Sequence, residues 1–201
     1  MIHSNDYWFY DRALSDEQCQ SLLNLKRQYQ LETATIDEGD VDSKVRKTEV
    51  LFTSEDWVYD MVRPYLEDAL VHANWNFDID WCEPAQFTEY KHGGHYSWHI
   101  DSMPVEKQEK LNISYKGKIR KLSTTVVLSD SNEYEGADFE MIHSPSLSPN
   151  ENKKINIMKE PGFRNKGTII FFPSDVWHRV TPITSGVRNS IVFWWLGPQF
   201  K

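Results

Sequence analysis

The sequence predicts a mainly β protein with flanking α-helices, a sandwich or jelly roll with N-terminal helices packed on its outer face. Three observations predict it. Helix-start signals and helical apolar spacing are confined to the first 76 residues. After that, short alternating or apolar runs are separated by Gly, Pro and polar turn residues, the texture of many short strands. No internal repeat or low-complexity tract interrupts the 201 residues. That length suits one domain with a substantial core, so 1–201 is read as a single unit: 1–76 as helical support, 77–201 as the jelly-roll core.

Ser15 and Gln18 have capping-box spacing, and Leu22, Leu23 and Leu25 follow with helical spacing, which predicts a helix over 15–30. Residues 35–44 are polar and acidic and read as a mobile loop. The stretch 45–52 reads as a strand. Ser54, followed by Glu55 and Asp56, is a second helix start; that helix runs to Ala73, with a kink or break expected at Pro64. Strands are then expected at 77–79, 85–90, 96–100, 122–128, 137–142, 155–158, 168–172, 179–182 and 190–195. Two long polar connections, 102–118 and 143–166, have the length of functional lids or disordered loops. The first leaves the chain directly after Asp101, where a lid would be placed.

Acidic residues outnumber basic ones, 30 to 22, for a net charge of -8 and a pI near 5.4. This argues against nucleic acid or an anionic membrane surface as the main partner. The two cysteines, Cys19 and Cys82, form no CxxC, which argues against a disulfide framework or a structural zinc site and fits a reducing cytoplasm. The start of the chain lacks the basic residues and apolar core of a signal peptide. The longest apolar run, from Ile191 to Leu196, is too short to span a membrane. Oligomeric state is left open.

The most informative residues are His99-Ile100-Asp101 and, much later, His178. On a strand, positions i and i+2 share a face, so His99 and Asp101 can reach one ion while Ile100 turns to the core. His178 must come from another strand. Two imidazoles and one carboxylate leave the other positions of a metal open, the pattern of non-heme Fe(II) sites. A His-x-Asp alone also occurs by chance. His95 and His99 have the i, i+4 spacing of a helical zinc pair, but Gly93-Gly94 oppose a helix there, and His95 ranks below His99. His3, His72, His92 and His143 read as surface or structural residues.

Arg188 follows the expected turn 183–186 and begins the last apolar strand. Its guanidinium could grip a carboxylate through two parallel hydrogen bonds; equally, it reads as a strand-edge charge. Ser190 and Trp194 share its strand face. Tyr90, just before the Lys91-His92-Gly93-Gly94 turn, could donate a phenolic hydrogen bond to a bound molecule, or serve only as a β-favouring aromatic.

Several blocks occur in order. They are Tyr90-Lys91-His92-Gly93-Gly94-His95-Tyr96-Ser97-Trp98-His99-Ile100-Asp101, Arg120-Lys121-Leu122-Ser123-Thr124-Thr125-Val126-Val127-Leu128, Tyr134-Glu135-Gly136-Ala137-Asp138-Phe139, Gly167-Thr168-Ile169-Ile170-Phe171-Phe172-Pro173, His178-Arg179-Val180-Thr181-Pro182-Ile183, and Gly186-Val187-Arg188-Asn189-Ser190-Ile191-Val192-Phe193-Trp194. Together they resemble the prolyl 4-hydroxylase-like branch of the 2-oxoglutarate/Fe(II) dioxygenases, which includes bacterial and phage PKHD-type hydroxylases. The resemblance implies a double-stranded β-helix with Fe(II) on His99, Asp101 and His178. It further implies 2-oxoglutarate on Arg188 in a pocket lined by Tyr90, Ser190 and Trp194, with O2 as co-substrate and ascorbate as a reductant. No catalytic residue beyond the iron ligands is implied. The implied reaction is hydroxylation of an unactivated C–H bond with release of succinate and CO2. A peptidyl proline is the first-choice substrate, with a free amino acid or other small metabolite as the alternative. Gly136-Ala137 departs from the family's paired glycines, and Arg188 stands where collagen-type enzymes have lysine, which weakens transfer of collagen specificity. Two readings from other classes are a noncatalytic metal-binding jelly-roll module and a cupin-like zinc hydrolase. The hydrolase would need a general base beside the ion.

Overall fold

A computed structural model describes residues 5–34, 42–102, 115, 117–142, 149 and 156–200. The elements in order are β1 (Trp8–Tyr10), α1 (Asp16–Leu23), α2 (Leu25–Gln28), β2 (Glu32–Thr33), β3 (Arg46–Lys47), β4 (Glu49–Thr53), α3 (Asp56–Asp60) and α4 (Arg63–His72). They continue with β5 (Trp81–Cys82), β6 (Ala85–Tyr90), β7 (His95–His99), β8 (Lys118–Val127), β9 (Tyr134–Gly136), β10 (Phe139–Ile142), β11 (Ile157–Met158), β12 (Ile169–Pro173), β13 (His178–Val180), β14 (Ile183–Gly186) and β15 (Arg188–Pro198). A large sheet runs β1-β12-β8-β15-β6-β4-β2, with β5 also on β15; a smaller one runs β11-β10-β13-β7-β3; β14 and β9 form a ribbon. Its pairings, like the smaller sheet's, are antiparallel. This is the expected mainly β jelly roll with flanking helices.

β12 reads as an unbroken apolar run because both of its faces are covered. On β12, Ile169 and Phe171 join the helix-side core, while Ile170 and Phe172 join a second core between the sheets. On the outer face Leu22, Leu25, Val58, Val62, Leu66 and Ala69 from the helices pack against Phe87, Val126, Ile191, Phe193 and Trp195. The opposite face of the same strands carries polar side chains. Gln86, Thr88 and Tyr90 of β6, Thr125 of β8, and Arg188 and Ser190 of β15 all line one interior pocket. Period-2 alternation thus separates a structural face from a chemical one.

Local signals account for two of the helix boundaries, while the start expected at Ser54 falls one residue later, at Glu55, which makes no side-chain cap. Ser15 Oγ accepts from the Gln18 backbone N–H at 3.2 Å, and Gln18 Oε1 accepts from the Ser15 N–H at 2.9 Å, the reciprocal capping box. The expected helix over 15–30 is nevertheless interrupted at Asn24; Leu22 and Leu25 on either side of the break both point inward, 0% and 1% exposed. The expected break at Pro64 is real: α3 ends at Asp60, and Pro64 sits in the first turn of α4, where its missing N–H has no cost.

Five expectations need correction. The strand expected at 45–52 is two strands on different sheets, because the chain crosses between them at Thr48, whose hydroxyl donates to Glu89 O at 2.8 Å. Residues 77–79 are not a strand; β15 pairs instead with Trp81–Cys82, and Phe77 packs in the helix-side core. The turn expected at 183–186 is β14, paired with an unforeseen β9. The final strand extends to Pro198. Ile100 does not face the core: it is 38% exposed and follows the end of β7, while Asp101 turns inward at 7%. Of the expected loops, 35–41, 103–114, 116, 143–148 and 150–155 lie outside the described residues, as do His3 and His143 and the body of the expected lid.

Phe193, fully buried, stacks on Trp195 and meets Tyr59 edge-on. Phe193→Ala is expected to lower unfolding free energy by about 3–5 kcal/mol, read from equilibrium urea denaturation. A loss under about 1 kcal/mol would show that this layer does not anchor the helices to the sheet.

Candidate metal centre

His178 begins β13 directly opposite His99 at the end of β7, with an irregular register immediately after. Cross-strand partners lie side by side, so this single pairing places two imidazoles together. Asp101 arrives from the bend beyond β7. Its N–H and that of Ser102 both donate to Ser174 O, at 2.9 and 2.8 Å, and Arg120 Nη1 donates to Asp101 O at 3.2 Å. His99 Nε2 lies 3.7 Å from Asp101 Oδ1, and His178 Nε2 lies 3.5 Å from Asp101 Oδ2. One ligand atom from each of the three lies within 4.8 Å of the others, and among the described residues no fourth His, Cys, Asp or Glu joins them.

The far nitrogens are occupied. His99 Nδ1 is 2.8 Å from Ser97 O, and His178 Nδ1 is 2.9 Å from Val176 O. A carbonyl oxygen can only accept, so these contacts put the proton on Nδ1 and leave each Nε2 lone pair facing the cluster, the arrangement that orients metal-binding histidines. Three clustered donors without a thiolate or fourth protein ligand fit Fe(II) with open positions.

The cluster opens into a small pocket lined by both sheets. Deep in it lies Arg188, 1% exposed. Nη1 donates to Ser190 Oγ at 3.2 Å, the Tyr90 ring lies 5.5 Å away, and Nη2 is buried without a partner. Trp194 forms a wall, its indole N–H also buried and unpartnered. A buried charge with an unused donor is costly unless something pairs with it. The donors fit a carboxylate. Tyr90, Ser190, Trp194 and Arg188 therefore share one cavity with His99, Asp101 and His178.

His95 lies outside that cavity. Its ring nitrogens are within 3.0 Å of Gly93 O and 3.1 Å of Lys44 O, which uses both for backbone contacts. His92 and His72 serve similar local roles, near Thr184 O and Asp68 respectively. Sequence reasoning missed Arg120, which binds Glu83 through two contacts of 2.6 Å and lies 4.2 Å over the Trp194 ring. It missed Tyr96, stacked 3.5 Å from the His99 ring, and Arg46, 4.6 Å over Tyr96. Arg120 and Tyr96 lie within the family-like segments of the sequence but have no metal-ligand spacing, and Arg46 has no motif to reveal it.

Residues 85–196 match the family model of the 2OG-Fe(II) oxygenase superfamily, and the chain belongs to that superfamily, a class of 2-oxoglutarate-dependent dioxygenases that use Fe(II) and O2. Among curated proteins it is similar to a PKHD-type hydroxylase of Stenotrophomonas maltophilia (strain R551-3), 32% identical over 112 residues, 55% of this chain and 42% of that protein. It is also similar to a PKHD-type hydroxylase of Teredinibacter turnerae, 29% identical over 111 residues, 55% of this chain and 42% of that protein. The chain thus spans less than half the length of these relatives. Among solved structures, a Pseudomonas putida prolyl-4-hydroxylase superposes with a TM-score of 0.67 at 16% identity, covering 96% of this chain and 93% of that one. The viral collagen prolyl hydroxylase of Paramecium Bursaria Chlorella virus-1 gives 0.62 at 22%, covering 96% of each. These likenesses establish the shared fold.

Burial first, then the neighbouring His178, lowers the His99 pKa to about 3. Burial pushes Asp101 up, but His178, His99, Arg120 and a hydrogen bond from Ser123 together outweigh it, and its carboxyl ends below the ordinary range. Burial pushes the Tyr96 phenol up to about 12. In the metal-free protein His99 therefore stays neutral where the unfolded chain, with an ordinary histidine pKa of about 6.5, binds a proton. Extra protons on the unfolded state make stability fall as pH falls, from about 6.5 down to about 3 for this group. The urea midpoint of metal-free protein is expected to drop between about pH 7.5 and pH 5, and His99→Gln to flatten that drop. An unchanged slope in the variant would contradict the assigned environment of His99.

Proposed function

We propose that the chain is an Fe(II)- and 2-oxoglutarate-dependent dioxygenase that hydroxylates an unactivated C–H bond, with His99, Asp101 and His178 as iron ligands and Arg188 holding the distal carboxylate of 2-oxoglutarate. The observation that carries this is the buried guanidinium of Arg188, with its unpartnered Nη2, in the cavity that also holds the three-ligand cluster. That charge calls for an anionic ligand beside the metal, which a site holding a metal ion alone would not supply. A zinc hydrolase would need a general base, and Asp101 is the only carboxylate lining the pocket among the described residues.

When bound, iron with 2-oxoglutarate and O2 supplies the oxidising chemistry that places oxygen on carbon and releases succinate and CO2. The protein's own residues bind, orient and enclose. Val176 O and Ser97 O fix the two imidazoles, and Ser174 O and Arg120 fix the backbone of Asp101. Arg188 and the Ser190 hydroxyl form the carboxylate end of the pocket, with Tyr90 and Trp194 as walls. Phe139, Phe172, Val180 and Val192 supply an apolar lining that limits solvent at the reacting centre.

A peptidyl proline is the proposed substrate, supported by the resemblance of the sequence blocks to the prolyl 4-hydroxylase-like branch. A free amino acid or small metabolite is the second reading. Ascorbate as reductant, a cytoplasmic setting and a single domain over 1–201 belong to the same proposal. Among the described residues no helix is long and apolar enough to cross a membrane.

The test is anaerobic addition of Fe(II) and 2-oxoglutarate to apo-protein, watching for the weak visible charge-transfer band of the chelate. Wild type is expected to show it and His178→Ala to lose it. Arg188→Ala is expected to need about 10–100-fold more 2-oxoglutarate, the effect of removing charge-assisted hydrogen bonds. Bound iron without a band in wild type would overturn the co-substrate assignment.

A further inference from the structure

Arg46 is the second cation of the metal pocket. It stands on β3, opposite Tyr96 of β7, on the smaller sheet, whereas Arg188 belongs to the larger one. The side chain is 8% exposed and lines the cavity with His99 and Asp101. Its guanidinium lies over the Tyr96 ring, which is itself stacked on His99. Its Nε is buried without a hydrogen-bond partner. Among the described residues no carboxylate lies within ion-pair distance of it. Arg46 also lines a neighbouring groove with Lys47, Lys91, Glu49 and Glu89, where Lys91 is paired with both glutamates, so Arg46 stands between the metal pocket and the surface.

Charge points the same way, resting on the oxygenase reading above. A divalent ion and Arg188 would be balanced by Asp101 and the doubly anionic co-substrate. Among the described residues Arg46 is then left without a carboxylate, in a place where an unpaired cation is expensive. Its planar fork of donors suits a carboxylate better than a neutral amide. We propose that Arg46 is a specificity-determining residue that binds a carboxylate of the substrate, so that the hydroxylated molecule carries an acidic group close to the reacting carbon. That group is either the α-carboxylate of a free amino acid or derivative, or an acidic side chain next to the target residue in a peptide.

The test uses protein loaded with Fe(II) and 2-oxoglutarate without O2, and calorimetric titration with two matched pairs of probes. N-acetyl-L-proline and N-acetyl-L-prolinamide differ in one carboxylate and stand for the small-molecule source. Capped Ala-Pro-Asp and Ala-Pro-Asn tripeptides stand for the peptide source. In at least one pair the acid is expected to bind about tenfold tighter than its amide. That preference is expected to vanish in Arg46→Gln and to be partly restored in Arg46→Lys, which keeps the charge without the fork. The chelate band is expected to form in both variants, which separates this role from that of Arg188. Equal binding of acid and amide, no binding of any probe to wild type, or a preference that survives Arg46→Gln would each overturn the proposal. So would loss of the band in Arg46→Gln alone, since it would place the side chain in the co-substrate site. Absence of the band in wild type would instead be a failure of the oxygenase reading itself.

Discussion

The site depends first on the register between β7 and β13. His178 faces His99 across that antiparallel pair, and a slip of either strand by one residue would turn its histidine to the opposite face of the smaller sheet, away from the other. The register is held from outside the pair as well. The turn between β12 and β13 supplies Ser174 O to the N–H groups of Asp101 and Ser102, and Ser174 N–H donates to Lys121 O at 3.1 Å. Ser123 Oγ, on the larger sheet, meets Ser174 Oγ at 2.9 Å. The third member of the cluster is thus tied to the turn that launches the second histidine, and both are tied to the larger sheet.

A price in stability accompanies this geometry. The inner face of the larger sheet buries Gln86, Thr88, Thr125, Arg188 and Ser190 where apolar residues would pack better. Some satisfy one another, as Gln86 does with Thr88 at 2.9 Å. Arg188 Nη2, Arg46 Nε and Trp194 Nε1 do not. Three unsatisfied donors lining one cavity, while the helix-side core of the same strands is apolar, mark a face shaped for binding.

Much of the fold was legible because the signals were local: the Ser15 capping box, the Pro64 break, the apolar runs of β8, β12 and β15, and the change of texture after residue 76. What was not legible was set by tertiary pairing. The crossing at Thr48 splits one apparent strand between two sheets, and Trp81–Cys82 displaces 77–79 because β15 offers its ladder there. The ribbon of β9 and β14 was hidden by turn-like composition, and by Gly136 and Gly186, which adopt φ of 73° and 76° where side chains are disfavoured. His99 and Asp101 come together, but not by the strand alternation that the His-x-Asp spacing suggested. Strand alternation does not bring Asp101 beside His99; the chain bends after β7, leaving Ile100 outside. Arg188, Ser190 and Trp194 share a strand face as their spacing required, whereas Arg46 and Arg120 act through partners distant in sequence, which no local pattern encodes.

The most direct measurement is anomalous diffraction at the iron edge from crystals grown without O2 in the presence of Fe(II) and 2-oxoglutarate. The expected result is one iron site bounded by His99 Nε2, the Asp101 carboxylate and His178 Nε2, with the distal carboxylate of the co-substrate against Arg188. Iron bound elsewhere, or a co-substrate whose carboxylates leave Arg188 unpaired, would contradict the assignment at its centre.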